Sequence, residues 1–186
     1  MPQHANPPAR NITLIGMPGA GKSTLGVVLA KKLGYSFVDT DLLLQESTGK
    51  LLSEILTEVG VEGFIQQENA LLAGLACEHH VIATGGSAVY SEDGMENLKK
   101  LGTVLFIEVE LEELCGRLSP DLLSRGVVMR GNNTTVAQLY DERVPLYRRY
   151  ADITVNTTGL STLGSVEKLY AALVDVVERP EEGADA

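Results

Sequence analysis

Gly16-Met17-Pro18-Gly19-Ala20-Gly21-Lys22-Ser23-Thr24 decides how the rest of the chain is read. The spacing is G-x-x-x-x-G-K-[ST], the phosphate-loop pattern. The apolar, β-prone run Ile12-Thr13-Leu14-Ile15 precedes it. Leu25 to Leu33 follows with helical character and stops at Gly34. Strand, loop and helix in that order are the context the pattern requires. Gly16, Gly19 and Gly21, with Ala20 between, let successive N–H groups turn toward one centre and form an anion nest. The helix beginning near Thr24 adds its positive end, so a phosphate chain fits there. Lys22 reaches the terminal phosphates, and the Ser23 hydroxyl is placed to hold Mg²⁺.

The chain has 186 residues, the size of one domain. Its formal charge of -10 argues against general binding to nucleic acid or an anionic membrane, and leaves room for a local basic site. With no Trp and 3 Phe, no aromatic platform for stacking bases is expected. Cys77 and Cys115 have no metal-like spacing and read as packing residues of a reducing compartment. No apolar run is long enough to span a membrane, and residues 1–10 lack the apolar stretch of a signal peptide. The expectation is a cytoplasmic monomer. Residues 1–10 form a disordered tail, 11–178 a single domain and 179–186 an acidic tail.

Beyond the loop, strands and helices alternate, which predicts a parallel sheet covered by helices on both faces. Tyr35 to Val38 reads as a second strand running into Asp39-Thr40-Asp41. Two carboxylates thus emerge at the strand edge where open α/β sheets bind ligands. Leu42 to Thr48 and a segment from Ser53 are short helices, and Val61 to Glu78 a longer one. His80 to Thr84 is a third strand, followed by Gly85-Gly86-Ser87. A helix over Glu92 to Leu101, a strand over Thr103 to Val109 and a helix over Leu111 to Leu118 come next. Residues 119–133, with Arg125 and Arg130, break the periodicity and read as a lid with little apolar area to hold it closed. Thr134 to Tyr150 is helical and interrupted at Pro145. A strand over Asp152 to Val155 and a helix over Val166 to Val177 end the domain.

The loop, Asp39-Thr40-Asp41, Thr84-Gly85-Gly86, the Arg125 segment and Arg143-Val144-Pro145-Leu146-Tyr147 occur in one fixed order. In that order the chain, from Ile12 to Val177, resembles the shikimate kinases of the nucleoside-monophosphate-kinase-like P-loop group. The resemblance implies a five-stranded parallel sheet with a lid over ATP, and an amino-acid biosynthetic kinase. It implies that Gly16, Gly19, Ala20, Gly21, Lys22, Ser23, Thr24 and Arg125 bind ATP. It further implies Ser23 and Asp39 on Mg²⁺, Asp39 through water. Asp41, Gly85, Gly86 and Arg143 would bind the small-molecule acceptor, Arg143 through its carboxylate. Lys22, Asp41 and Arg125 would carry catalysis.

Several positions depart from the family pattern. Ile65 stands after Phe64 where the family has a second carboxylate-binding arginine. Ser87 replaces the third glycine of its triplet, and Arg125-Gly126-Val127-Val128 replaces R-P-L-L. Asn156-Thr157-Thr158-Gly159 lacks an arginine often found beside the base, and Arg117 is the candidate near the adenine. These departures leave two further readings open. One is a related kinase acting on another hydroxy acid such as homoserine or gluconate, on which Ile65 forms an apolar wall. The other is a nucleotide-binding regulatory protein without turnover. His79, His80 and Glu68 are read as structural and set outside the site, Glu68 with the alternative of orienting an acceptor-binding residue.

Overall fold

The computed structural model describes residues 11–118, 126–129 and 134–177. The strands are β1 (Asn11–Ile15), β2 (Ser36–Asp39), β3 (His80–Ala83), β4 (Gly102–Glu108) and β5 (Ile153–Asn156). They form one sheet in the order β2-β3-β1-β4-β5, with every pairing parallel. All of β1 is buried. Successive side chains of a strand face opposite ways, so both faces of the sheet centre are covered. The expected five-stranded parallel architecture is the one observed.

The helices between the strands are α1 (Lys22–Leu33), α2 (Thr40–Thr48), α3 (Leu52–Ala73), α4 (Glu92–Leu101), α5 (Leu111–Arg117), α6 (Val136–Tyr150) and α7 (Thr162–Val177). α1 ends at left-handed Gly34 (φ 73) and α2 at left-handed Gly49 (φ 68), both legible as stops. Asp39 closes β2 and caps α2, its side chain accepting the Asp41 N–H at 3.0 Å.

Two helices, α3 and α6, differ from the sequence expectation. The two helices read before and after Gly60 run on as α3, broken by Gly60 at φ 70, ψ -177, and α3 stops at Ala73 instead of Glu78. His79 takes the left-handed turn (φ 57) into β3, its ring edge-on to Tyr35. α6 passes through Pro145 without interruption. Proline removes one helical N–H, and the carbonyl it frees belongs to Asp141, an exposed residue. A single 3-10 turn, Ala88–Tyr90, follows the glycines after β3.

The main core lies around Leu14, Ile82, Leu105, Phe106 and Tyr147. A second cluster, Leu44, Ile55, Phe64 and Val128, ties α2 and α3 to the segment 126–129. Gly126, Val127 and Val128 are buried. The expectation of a segment with little apolar anchorage therefore fails at these positions. Residues 119–125 and 130–133, including Arg125 and Arg130, lie outside the described residues, as do the two tails.

Candidate active site

Parallel strands bring their carboxyl ends to one edge, and the chain reverses its direction of winding beside β1. Gly16 leaves β1 there, Asp39 ends β2, and Thr84-Gly85-Gly86 leave β3. Thr84 is tied to β1, its Oγ1 donating to the Leu14 carbonyl at 3.0 Å. Between these ends lies a cavity of about 300 Å³. The phosphate loop and the start of α1 form one wall; Asp41, Phe64, Gly85, Gly86, Val128 and Arg143 form much of the other.

The loop has the backbone an anion nest needs. Gly16, Gly19 and Gly21 sit at φ 149, 80 and 91, and α1 starts at Lys22. Lys22 lies along the loop, its Nζ donating to the carbonyls of Gly16 at 2.7 Å and Met17 at 3.0 Å. Loss of water is the main cause lowering its pKa to about 8; Arg143 pushes the same way, while Asp41, Asp39 and Glu68 oppose it. Ser23 Oγ donates to Asp39 Oδ2 at 2.6 Å. Hydroxyl and carboxylate oxygens side by side suit a hard cation that keeps most of its waters, which is how Mg²⁺ binds beside a phosphate chain. Among the described residues no group of three or more His, Cys, Asp or Glu offers a complete protein cage.

Arg143 is 1% exposed. Its Nε donates to Tyr90 Oη at 3.2 Å, its Nη2 to the Val128 carbonyl at 2.5 Å, and its guanidinium lies 5.1 Å from the Tyr90 ring centre. Among the described residues no carboxylate forms an ion pair with it. A buried guanidinium held by neutral groups keeps an unspent charge for an anionic ligand. Tyr147, one turn later, donates its hydroxyl to the Gly86 carbonyl at 2.6 Å and stacks on Phe106, fixing the glycine loop to α6.

Asp41 faces the cavity from the first turn of α2. Burial, then the charge of Asp39, raises its pKa to about 6, with Lys22 opposing. Gly85 lies between Asp41 and a second carboxyl group, Glu68. A Cβ on Gly85 would stand 2.5 Å from Glu68 Oε1 and 2.6 Å from Asp41 Oδ1, so a larger residue would push both carboxyl groups aside.

The predicted site residues Gly19, Gly21, Lys22, Ser23, Thr24, Asp41, Gly85, Gly86 and Arg143 all line the cavity. Gly16 and Ala20 shape the loop behind it, and Asp39 reaches it through Ser23. Arg125 lies outside the described residues. Arg117, on α5, donates from Nη1 to the Gly19 carbonyl at 3.2 Å, at the rim of the loop, and pairs with Glu113. Ile65 is absent from the cavity lining and packs on the second cluster, so it does not form the expected apolar wall. Sequence reasoning set aside Glu68. A signal was there: Phe64, Glu68 and Leu72, four apart, place one carboxylate on the buried stripe of α3.

A loop with the backbone of a phosphate nest, a hydroxyl–carboxylate pair and a buried arginine around one small cavity are the parts a P-loop phosphotransferase uses. The comparisons narrow this class. Residues 18–175 match the family model described as "Shikimate kinase". The chain is 38% identical over 165 residues to the shikimate kinase of Thiobacillus denitrificans, covering 88% of this chain and 90% of that one. It is 40% identical over 150 residues to the shikimate kinase of Vibrio parahaemolyticus, covering 80% and 87%. The structure of shikimate kinase from Acinetobacter baumannii in complex with shikimate superposes with a TM-score of 0.85 at 29% identity, covering 96% of this chain and 100% of that one. A gluconokinase from Sinorhizobium meliloti, at 18% identity and a TM-score of 0.53, shares the fold alone. The chain belongs to the shikimate kinase family, and is an ATP-dependent kinase whose acceptor group is a hydroxyl. No helix among the described residues is long and apolar enough to cross a membrane.

Proposed function

We propose that this protein phosphorylates shikimate from ATP, as an amino-acid biosynthetic kinase acting as a monomer and dependent on Mg²⁺. The observation that carries this is one cavity with the phosphate loop on one wall and Asp41 and Arg143 on the other. Family membership supports the acceptor, and one chain supplies every residue the reading uses. Arg143 takes the acceptor carboxylate through its planar fork of donors. Gly85 and Gly86 let the backbone come close to the ring. Asp41 orients the reacting hydroxyl and takes its proton. That oxygen bonds to the γ-phosphorus as the bond to the β–γ bridging oxygen breaks, and ADP leaves. The nest and Lys22, turned from the loop carbonyls toward the phosphates, offset the charge that develops there. Ser23 directly, and Asp39 through water, would hold Mg²⁺, which supplies charge neutralisation on the phosphate chain. Arg125 is assigned to the transferring phosphate on the family match alone.

The test is turnover by the purified full chain with ATP and Mg²⁺ against shikimate, homoserine and gluconate. Shikimate is expected to give the highest kcat/KM. A higher value for another acceptor, or ATP binding without transfer to any of them, would replace this reading.

A further inference from the structure

A guanidinium has five N–H donors and no acceptor, so a group that holds it by a hydrogen bond must offer a lone pair. The Val128 carbonyl takes Nη2 of Arg143 at 2.5 Å, and the hydroxyl of Tyr90 takes Nε at 3.2 Å. A hydroxyl offers its lone pair best when its own proton points elsewhere. Here it does: Tyr90 Oη donates to Glu142 Oε1 at 2.8 Å. The guanidinium also lies over the Tyr90 ring, 5.1 Å from its centre, within cation–π range. Tyr90 ends the 3-10 turn that follows Gly85-Gly86-Ser87, and Glu142 precedes Arg143 on α6. The exit of the glycine loop is thus tied to the arginine. With Nε turned to Tyr90, the Nη1 end faces that loop, 3.1 Å from where a Cβ on Gly86 would stand. Gly86 and Arg143 both line the cavity, whereas Tyr90 stands behind them.

We propose that Tyr90 is a positioning residue for the acceptor: its hydroxyl, with the proton drawn off by Glu142, fixes Nε of Arg143 and so presents Nη1 and the remaining hydrogen of Nη2 to the acceptor carboxylate. The proposal rests on the reading of Arg143 given above. Tyrosine suits this place for a reason of charge. A carboxylate at Nε would hold the guanidinium as firmly but would neutralise it, leaving less charge for the ligand. Phenylalanine would pack as well and leave a buried donor unpaired. The phenol satisfies that donor while remaining neutral. Glu142, which orients the phenol, is exposed, so solvent screens its charge before it reaches the cavity. Ile65 packs on the second cluster and brings no cation to the cavity, which puts more weight on the aim of Arg143.

The test is a double-mutant cycle on the full chain. Tyr90→Phe keeps the ring and removes only the hydroxyl. It should raise the shikimate KM about tenfold, the scale of a hydrogen bond to a charged group, and leave the ATP KM within about twofold. In the Arg143→Ala enzyme the same change should cost less than about twofold in kcat/KM, because the group it acts through is gone. An unmoved shikimate KM, losses that multiply across the two sites, or an ATP KM that rises as much as the acceptor KM would overturn the proposal. Glu142→Ala should raise the shikimate KM by a smaller factor in the parent and leave it unchanged in the Tyr90→Phe enzyme; an equal rise in both would overturn the link through the hydroxyl. A second measurement needs no turnover. The Nε–H of Arg143, assigned by its disappearance in Arg143→Lys, should give a slowly exchanging proton resonance in the ligand-free parent and a shifted, faster-exchanging one in Tyr90→Phe. The same shift and exchange rate in both would overturn the proposal. If another acid of the panel is preferred, the acceptor assignment falls and the cycle is read on that acid. If none is phosphorylated, the functional reading falls, and the resonance still decides whether Tyr90 holds the arginine.

Discussion

The donor and acceptor walls of the cavity are built from different material. The donor wall is mostly backbone: three glycines at positive φ, a helix start and one lysine, all within a nine-residue stretch. The acceptor wall is mostly side chain: Asp41 from α2, Phe64 from α3, Arg143 from α6 and Val128 from the segment before it. A backbone nest leaves little room for variation, because any Cβ or altered φ at its glycines disturbs several N–H groups together. A side-chain wall changes one residue at a time. The family departures Ile65, Ser87 and Val128 all fall on or behind the acceptor wall. The difference teaches that chemistry and specificity are encoded separately here, the first in one local stretch and the second across four.

That contrast ranks what substitutions should do. Lys22→Ala should cause the largest loss, about a hundredfold or more in kcat, as removing one charge-stabilising donor does elsewhere. The melting temperature should hold, because the lysine is desolvated and contributes charge instead of packing. Steady-state rates beside a thermal melt check both halves. Near-normal kcat would dissolve the distinction at its donor end.

Arg143→Ala comes next and should act on one substrate. Losing a desolvated charge partner costs about 2 kcal/mol or more, which is about thirtyfold in the acceptor KM. The ATP KM should move far less. Equal rises in both would show that Arg143 holds the architecture of the whole cavity, since it also anchors the Val128 carbonyl.

Gly60→Ala should have the smallest effect on activity. A Cβ there meets nothing within 4 Å, so the penalty is purely backbone. The conformation φ 70, ψ -177 is one that glycine alone adopts easily, at ~1–3 kcal/mol for other residues. Denaturant melts should record that loss while kcat/KM stays unchanged. A large kinetic change would make the break in α3 part of the acceptor wall.

The five strands and nearly every helix were legible because the signals are local: apolar runs for strands, Gly34 and Gly49 as stops, Asp39 as a cap. The donor wall was legible for the same reason. What escaped depends on contacts between distant residues. The course of α6 through Pro145 depends on where the freed carbonyl faces. The burial of Val127 and Val128 depends on a cluster assembled from three segments. Ile65 was expected at the cavity because the family places an arginine there, yet a short branched side chain packs where a long one would reach out. Glu68 was set aside because a carboxylate on a helix is ordinarily solvated. Only the packed structure shows that it has lost its water and gained Asp41 as a neighbour.

The resting place of Lys22 has a consequence for labelling chemistry. An ammonium drawn out of water, with a pKa of about 8, carries far more free amine near that pH than an ordinary lysine side chain does. The free amine is the nucleophile toward acylating and aldehyde reagents, and this one opens onto a cavity that admits small molecules. On the proposed donor site, Lys22 should be modified ahead of the surface lysines when the loop is bare and be shielded when phosphates fill it, so that peptide mass mapping would read donor binding without any turnover.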